Sequence, residues 1–485
     1  MSVFQSAVWD LAGRIANYVV TFVVSVILTR LLMPEEFGAF GIILAILVFS
    51  WVILDFGFRS AVVQAATISQ TQLSSVFFVN LLLGAGIMLV LVLVGPPLAR
   101  FYEIPELANY IIGVSPIFVL NGLFVVPSAL IQRELKLKQM SIFTVVGAVI
   151  SGGISIVLAL KGFGVWSLVV SSLSSTVITV IACYWITGWR PTREFDLPSI
   201  KPLYDFGSRI FLSSLLDVAF TRADVFIIGK VFDVGSLGFY TRAQSIDQQV
   251  RMFSVSTIVT VMLPLFSRHQ NDIERLRDIY FRSLHFISFV AIAASGLLVL
   301  TAYDLFLLLF TEKWIVSAGY FQIMSITSAA YPLTYLMLNL ISGRGNSKAL
   351  LRLEIFKKTL LVPAYLSFLV GGIHTFVIVV GVVYLVSLVL NMSFVKKELS
   401  ESITKQLSVV GLYVAMSLLS ALVSFGLMGL IPTTTITHFL GSAAIFGSVY
   451  LGLNWILKTA GFRELIERAT SMLARKGVPD AAGTS

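Results

Sequence analysis

Charge is what this sequence has least of. Only 12% of its 485 residues are Asp, Glu, Lys or Arg, while 57% are hydrophobic. The mean hydropathy is +0.93. A water-soluble domain carries about a quarter charged residues, so a soluble globular protein is excluded. Cysteine is nearly absent: a single Cys183 rules out an internal disulfide and any cysteine-based metal cluster. The four histidines, His269, His285, His374 and His438, lie far apart and show no ligand spacing, so no metal site is expected. Glu35–Glu36 has nothing near it to complete a ligand set. The stretch "GRGNSK" (343–348) lacks the glycine-to-lysine spacing of a phosphate loop, and no strand precedes it. No catalytic constellation and no cofactor-binding motif is found, and an enzyme is not expected. Basic residues are missing before the first apolar run, and no small-residue cleavage site follows it. The start therefore reads as a retained span rather than a removed signal peptide.

What fills the chain is apolar sequence in span-length runs. Windows fall near 11–32, 38–58, 74–99, 108–131, 141–160, 164–187, 207–229, 246–266, 284–304, 319–341, 356–372, 375–395, 408–430 and 434–457. A helix needs about 20 apolar residues to cross a bilayer. The fold class expected is therefore all-α: a polytopic membrane protein of about 14 transmembrane helices. No connection is long enough for a folded extramembrane domain, which argues against a membrane polymerase or ligase with a catalytic external loop.

The 34 lysines and arginines are sorted by side. Connections after even-numbered windows, with the C-terminal tail, hold 25, among them Arg133, Lys136 and Lys138, Arg344 to Lys358, and Lys396, Lys397 and Lys405. Connections after odd-numbered windows hold five: Arg30, Arg100, Lys161, Lys230 and Lys313. By the positive-inside rule both termini are expected to be cytoplasmic. The net charge of +9 follows from this sorting and does not indicate nucleic acid. Tryptophans 9, 166, 185, 189, 314 and 455 sit near window ends, as an interfacial belt requires.

The polar stretch "GWRPTREFDLPSIKPLYDFG" (188–207) separates six windows from the next six. Residues 28–40 can be laid on 228–240 at a spacing of 200, with Gly38 on Gly238, Arg30 on Lys230 and Phe40 on Tyr240. Two six-helix lobes in parallel repeat are expected, with a substrate site between them. The organisation reads as an N-lobe 1–190, a cytoplasmic linker 191–206, a C-lobe 207–400, two extra spans 401–458 and an amphipathic tail 459–485. That tail puts Phe462, Leu465, Ile466, Ala469, Met472 and Leu473 on one helical face.

Charges inside spans cost about 2.5–3.5 kcal/mol each at a helix centre, so they mark internal pairs or an aqueous pathway. Three acid–base pairs recur at i, i+4: Asp10–Arg14, Asp55–Arg59 and Asp247–Arg251. Arg14 has Asn17 one turn on and is expected to face a cavity. "LLDVAFTRADVFIIGK" (215–230) holds Asp217, Arg222 and Asp224. At about 100° per residue the two acids share a helical face and Arg222 projects to one side. The acids then need bases from neighbouring spans, Arg251 being a candidate. Arg222 is left to meet another acid or open water.

The stretches "DFGFRSAVVQ" (55–64), "ALIQRELKLKQ" (129–139), "RADVFIIGKVFDVGSLGFYTRA" (222–243) and "LFTEKWIVSA" (309–318) resemble the Wzx-type, colanic-acid-exporter-like polysaccharide transporters. These form a branch of the multidrug/oligosaccharidyl-lipid/polysaccharide flippase superfamily. The resemblance runs through about residues 1–400. It implies alternating access and a polyprenyl-diphosphate-linked oligosaccharide moved across the bilayer for surface polysaccharide biosynthesis, alongside glycosyltransferases and a polymerase. It also implies basic cavity residues, for which Arg14, Arg222 and Arg251, with Asn17, are the candidates here. Asp55, Asp217, Asp224 and Asp247 are candidate cavity or ion-pair acids. The alternative is an ion-coupled drug or solute antiporter of the same superfamily, whose cavity would want acids to dominate.

Overall fold

The structure is a computed structural model that describes residues 3–432 and 434–467. Inside its helices the side chains of 3–11, 137, 209, 252–261 and 347 fall outside the description. All regular structure among the described residues is helical. In hydrocarbon a backbone must satisfy its own polar groups, which a helix does.

The chain divides into two compact units, Met1–Thr241 and Arg242–Ser485. In the first, α1 (Val3–Leu31) packs on α7 (Leu137–Leu160), and α7 on α8 (Val165–Thr187). Between them in sequence run α2 (Pro34–Asp55), α3 (Phe58–Gln64), α4 (Gln70–Tyr102), α5 (Leu107–Val114) and α6 (Ile117–Arg133). The unit also contains α9 (Lys201–Val231) and the first residues of α10 (Val234–Arg268).

Local chemistry sets the ends. Pro34 opens α2, where its missing N–H forfeits no bond, and Glu35 and Glu36 follow at the positive end of the helix. The Met33 N–H donates to Glu36 Oε2 at 2.7 Å. The helix stops where Phe56 (φ 44°) and Gly57 (φ 77°) turn left-handed. Gly57 is also held by space: a Cβ there would come 2.5 Å from the Gly207 carbonyl oxygen. At the corresponding place in the repeat, Asp233 precedes α10 and accepts from Ser236 N–H at 2.8 Å and Ser236 Oγ at 2.5 Å. The Ser236 hydroxyl, helped by backbone N–H groups, holds the Asp233 carboxyl below the usual carboxylate range.

The apolar interior of this unit is built by Phe58 and Val62 of α3, Val76 and Phe77 of α4, Val125 and Ala129 of α6, and Ile200 and Leu203. The 188–207 stretch is bound along the start of α4. Trp189 Nε1 donates to Gln70 Oε1 at 2.9 Å, and Thr192 and Asp196 donate their backbone N–H groups to Ser74 and Ser75 Oγ, both at 2.9 Å.

The second unit holds the rest of α10 and then α11 (Ile273–Phe310), α12 (Ile315–Ser328), α13 (Ala330–Gly343), α14 (Ser347–Leu366), α15 (Phe368–Leu399), α16 (Ile403–Met428) and α17 (Thr435–Ile456). Its core joins Tyr280 and Leu284 of α11, Leu336 and Leu340 of α13, Met392 and Val395 of α15, Tyr413 of α16, and Phe446 and Tyr450 of α17. Helices α16 and α17 are locked to α11: Tyr450 donates to the Phe289 carbonyl at 2.8 Å and Ser417 to that of Ile292 at 3.3 Å.

Every apolar window falls mostly in helix, and among the described residues ten stretches are long and apolar enough to cross a membrane by length and composition. The count of 14 stays an expectation for the other four. The window 207–229 lies in α9, which carries Asp217, Arg222 and Asp224, and 246–266 overlaps the undescribed side chains of α10. The window 319–341 is divided between α12 and α13, and 356–372 begins in lysine-bearing α14. The break between windows 356–372 and 375–395 is real: Gly371 (φ −146°, ψ 19°) and Gly372 (φ 69°, ψ −160°) interrupt α15 near its start. Large apolar side chains such as Leu82, Leu93, Leu160 and Leu430 stand exposed, as a lipid-facing surface requires. Trp314 departs from the expected aromatic belt. It is fully buried between α11 and α12, so it packs against protein instead of facing the interface.

Candidate functional site

Two clusters gather the intramembrane charges, one in each unit. In the first, α9 places Asp217, Arg222 and Asp224 as its helical period requires. Asp217 is exposed, and Thr221 Oγ1 bonds back to its carbonyl at 2.8 Å. Asp224 is buried, at 5% exposure, and accepts 2.6 Å from the Tyr240 hydroxyl and 2.8 Å from the Val225 N–H. Tyr240 is the residue the repeat aligns with Phe40. Arg222 is half-buried, and among the described residues its guanidinium has no hydrogen-bond or ion-pair partner. Arg14 is exposed on α1 and Asn17 is half-buried one turn on. The Asp10 side chain lies outside the described residues, so the Asp10–Arg14 pair does too.

In the second unit Arg251 Nε stands 2.7 Å from Asp247 Oδ2, both side chains nearly buried. Ser328 Oγ donates to the other Asp247 oxygen. The Arg251 guanidinium is layered on the rings of Tyr331 and Tyr384, at 4.9 and 5.0 Å. The Arg251 named above as a possible partner for the acids of α9 is thus held by Asp247, one turn back on its own helix. Ser328, Tyr331 and Tyr384 are not marked in the sequence, because serines and tyrosines inside apolar windows carry no spacing signal. Arg242, also in this unit, is 2% exposed with its guanidinium 4.3 Å from the Phe310 ring.

Asp55 and Arg59 do not form the expected i, i+4 ion pair. The helix ends at Asp55 and restarts at Phe58, so the spacing no longer puts the two side chains one turn apart. The Arg59 charge still favours the Asp55 carboxylate, as do the backbone N–H groups of Gly57 and Arg59, but Asp55 Oδ1 is buried without a hydrogen-bond partner among the described residues and Arg59 faces the Phe124 ring at 5.8 Å. Arg133 is structural, donating to the carbonyls of Val62, in the last turn of α3, and Ala66, just past its end, both at 3.0 Å.

The third feature is a crossing of two helix starts within the first unit. A Cβ on Gly38 would come 1.9 Å from the Val234 carbonyl oxygen, and one on Gly238 would come 1.8 Å from that of Pro34. Beside them Gly235 faces Glu35, and Gly41 faces Thr241. Residue 34 meets 238 and residue 38 meets 234, which is the reciprocity of a two-fold relation at a spacing of 200.

The family described as "Polysaccharide biosynthesis protein" matches residues 27–319, more than half of the chain. The chain belongs to that family. Among proteins of the same kind, the succinoglycan biosynthesis transport protein ExoT of Rhizobium meliloti (strain 1021) is 25% identical over 277 residues, 56% of each chain. The lipopolysaccharide biosynthesis protein WzxC of Escherichia coli (strain K12) is 23% identical over 379 residues, 76% of this chain and 75% of the relative. Among solved structures, the lipid II flippase MurJ in an inward closed conformation superposes with a TM-score of 0.73 over 96% of this chain and 100% of that one, at 14% identity. The fold is shared with MurJ, and the family match spans both the 28–40 and 228–240 stretches of the repeat.

Proposed function

We propose that this chain carries a polyprenyl-diphosphate-linked oligosaccharide across the bacterial cytoplasmic membrane for surface polysaccharide biosynthesis, by alternating access. Arg222 is the observation that carries the reading. A guanidinium held half-buried on a membrane helix, with no protein anion described beside it, is suited to an anionic ligand. Its paired N–H donors match diphosphate oxygens. Family membership, the names of ExoT and WzxC, and the MurJ fold all lean the same way. In this reading 1–190 and 207–400 are the moving lobes, 191–206 is a cytoplasmic linker, and both termini are cytoplasmic. Glycosyltransferases that build the unit and a polymerase that consumes it are the partners the substrate calls for.

The test is genetic and chemical together. Deleting the gene should abolish surface polysaccharide and leave its lipid-linked repeat unit on the cytoplasmic leaflet, and re-expressing the chain should restore export. Unchanged surface polysaccharide in the deletion strain would overturn the reading.

A further inference from the structure

The C-terminal end of the described chain holds a cavity that the charge clusters above do not use. After α17 the backbone turns left-handed at Lys458 (φ 47°), and a short helix, 460–467, follows. Three contacts fix that turn. Thr459 Oγ1 donates to Asn454 Oδ1 at 2.7 Å, the Gly461 N–H donates to the Tyr413 hydroxyl at 3.0 Å, and the Phe462 ring meets Phe289 with centroids 6.2 Å apart. No side chain fits at position 461, where a Cβ would come 2.7 Å from Phe289 Cβ and 2.8 Å from the His285 carbonyl oxygen. The 460–467 helix is therefore tied to α11 and α16 in the core of the second unit.

The space between this helix and α17 is a cavity of about 390 Å³ lined by Trp455, Ile456, Lys458, Phe462, Arg463 and Ile466. Its charges are two cations from two different segments; Glu464 and Glu467, on the same short helix, do not line it. Its remaining walls are apolar. Trp455 and Ile456 are 68% and 67% exposed at the end of a membrane-spanning helix, and Leu440 and Leu451 continue the bare apolar face along α17.

We infer that this cavity is a binding site for an anionic phospholipid of the cytoplasmic leaflet. The phosphate would be taken by Lys458 and Arg463, and the acyl chains would lie down the exposed face of α17. A soluble anion would have no use for the apolar walls, and a zwitterionic lipid would bring its own cation to a site that already has two. The exposed Trp455 suits the headgroup level, where an aromatic ring keeps an apolar body and a polar N–H. The end of α17 is also the side to which the sorting of basic residues assigns the cytoplasm, where anionic lipid attracts lysine and arginine.

Native mass spectrometry of the full-length protein in detergent, titrated with phosphatidylglycerol, phosphatidylcholine or inorganic phosphate, tests this. Phosphatidylglycerol should be retained above phosphatidylcholine. Retention should fall about fivefold for each charge removed in Lys458→Gln and Arg463→Gln, with the double variant reaching the phosphatidylcholine level. The equally basic pair Lys396→Gln/Lys397→Gln should leave retention unchanged, and thermal melting without lipid should match wild type in all variants. Equal retention of the two lipids, or phosphatidylglycerol retention unaffected in the double variant, would overturn the site. Displacement of the lipid by equimolar inorganic phosphate would reassign it to a free anion and overturn the lipid proposal.

Discussion

A guanidinium on a membrane helix has to be answered by something, and two of them in this chain are answered differently. Arg251 is enclosed with its carboxylate partner, Asp247, whose other oxygen is taken by Ser328 and whose neighbours are aromatic faces. Arg222 is half open and, among the described residues, unpaired. The two sites therefore predict opposite kinds of loss. Asp247→Asn strands a buried cation, which costs about 3–5 kcal/mol, so membrane abundance of folded protein should fall and export should fall in proportion. Arg222→Ala should leave abundance normal and stop export, with Arg222→Lys restoring only part because an ammonium lacks the paired donors. Quantifying membrane protein and surface polysaccharide in the same cells separates the cases. Wild-type export by Arg222→Ala would remove its substrate role. The sequence carried part of this: three charges in one apolar window singled out Arg222, and the i, i+4 spacing paired Asp247 with Arg251. At Asp55 and Arg59 the same spacing leaves attraction without a closed ion pair, because Phe56 and Gly57 break the helix between them and the rule holds only on a continuous helix.

At the scale of elements, hydropathy was sufficient to locate helices, since each apolar window had to satisfy its backbone internally. It was silent where the determinant is a contact between remote residues. The 188–207 stretch read as a polar divider, yet its polarity is spent on hydrogen bonds to Gln70, Ser74 and Ser75. The short α3 was hidden inside a connection. Gly38 and Gly238 were visible as one weak identity across the repeat; what requires glycine at both is the approach of a facing carbonyl, which no local pattern reports. Adding a methyl at 38 must push the start of α2 off the start of α10, because the overlap is with backbone and not with a side chain that can rotate. Gly38→Ala and Gly238→Ala should therefore lower the thermal midpoint of the purified protein. Gly86→Ala, on α4 with open space around it, should hold or raise it by the usual helix gain of up to about 1 kcal/mol. Equal melting of all three would mean that the crossing does not contribute to stability.

Orientation belongs to the molecule as a whole, because it rests on the summed bias of lysine and arginine and not on any one loop. In a Cys183→Ala background, Arg193→Cys and Pro432→Cys both offer exposed positions that cap no helix. A membrane-impermeant thiol reagent added to intact cells lacking an outer-membrane barrier should label position 432 and spare 193. The reverse would place the termini outside.

Alternating access makes a further demand on the whole chain, at the crossing of residues 34–41 with 234–241. In the proposed reading these stretches begin the second helix of each lobe, on the side where few lysines and arginines fall, so opening to the outside would have to part them. The closest approaches at the crossing are glycines against backbone carbonyls, with the Val234 and Thr241 side chains beside them and Leu237 buried in the same stretch. Glu35 and Gly235 lie beside it, a Cβ on Gly235 coming 3.1 Å from Glu35 Oε1, which brings cysteines at both within reach of a short bifunctional thiol reagent. In the Cys183→Ala background, Glu35→Cys/Gly235→Cys should export polysaccharide before treatment and stop after it. Each single-cysteine variant should continue through the same treatment. Because the tether leaves Arg222 intact, the treated protein should also still retain lipid-linked oligosaccharide, which distinguishes arrest from loss of the substrate site. Full export by protein shown to be cross-linked would mean that the two helix starts stay together through the transport cycle, and the route outward would have to open elsewhere.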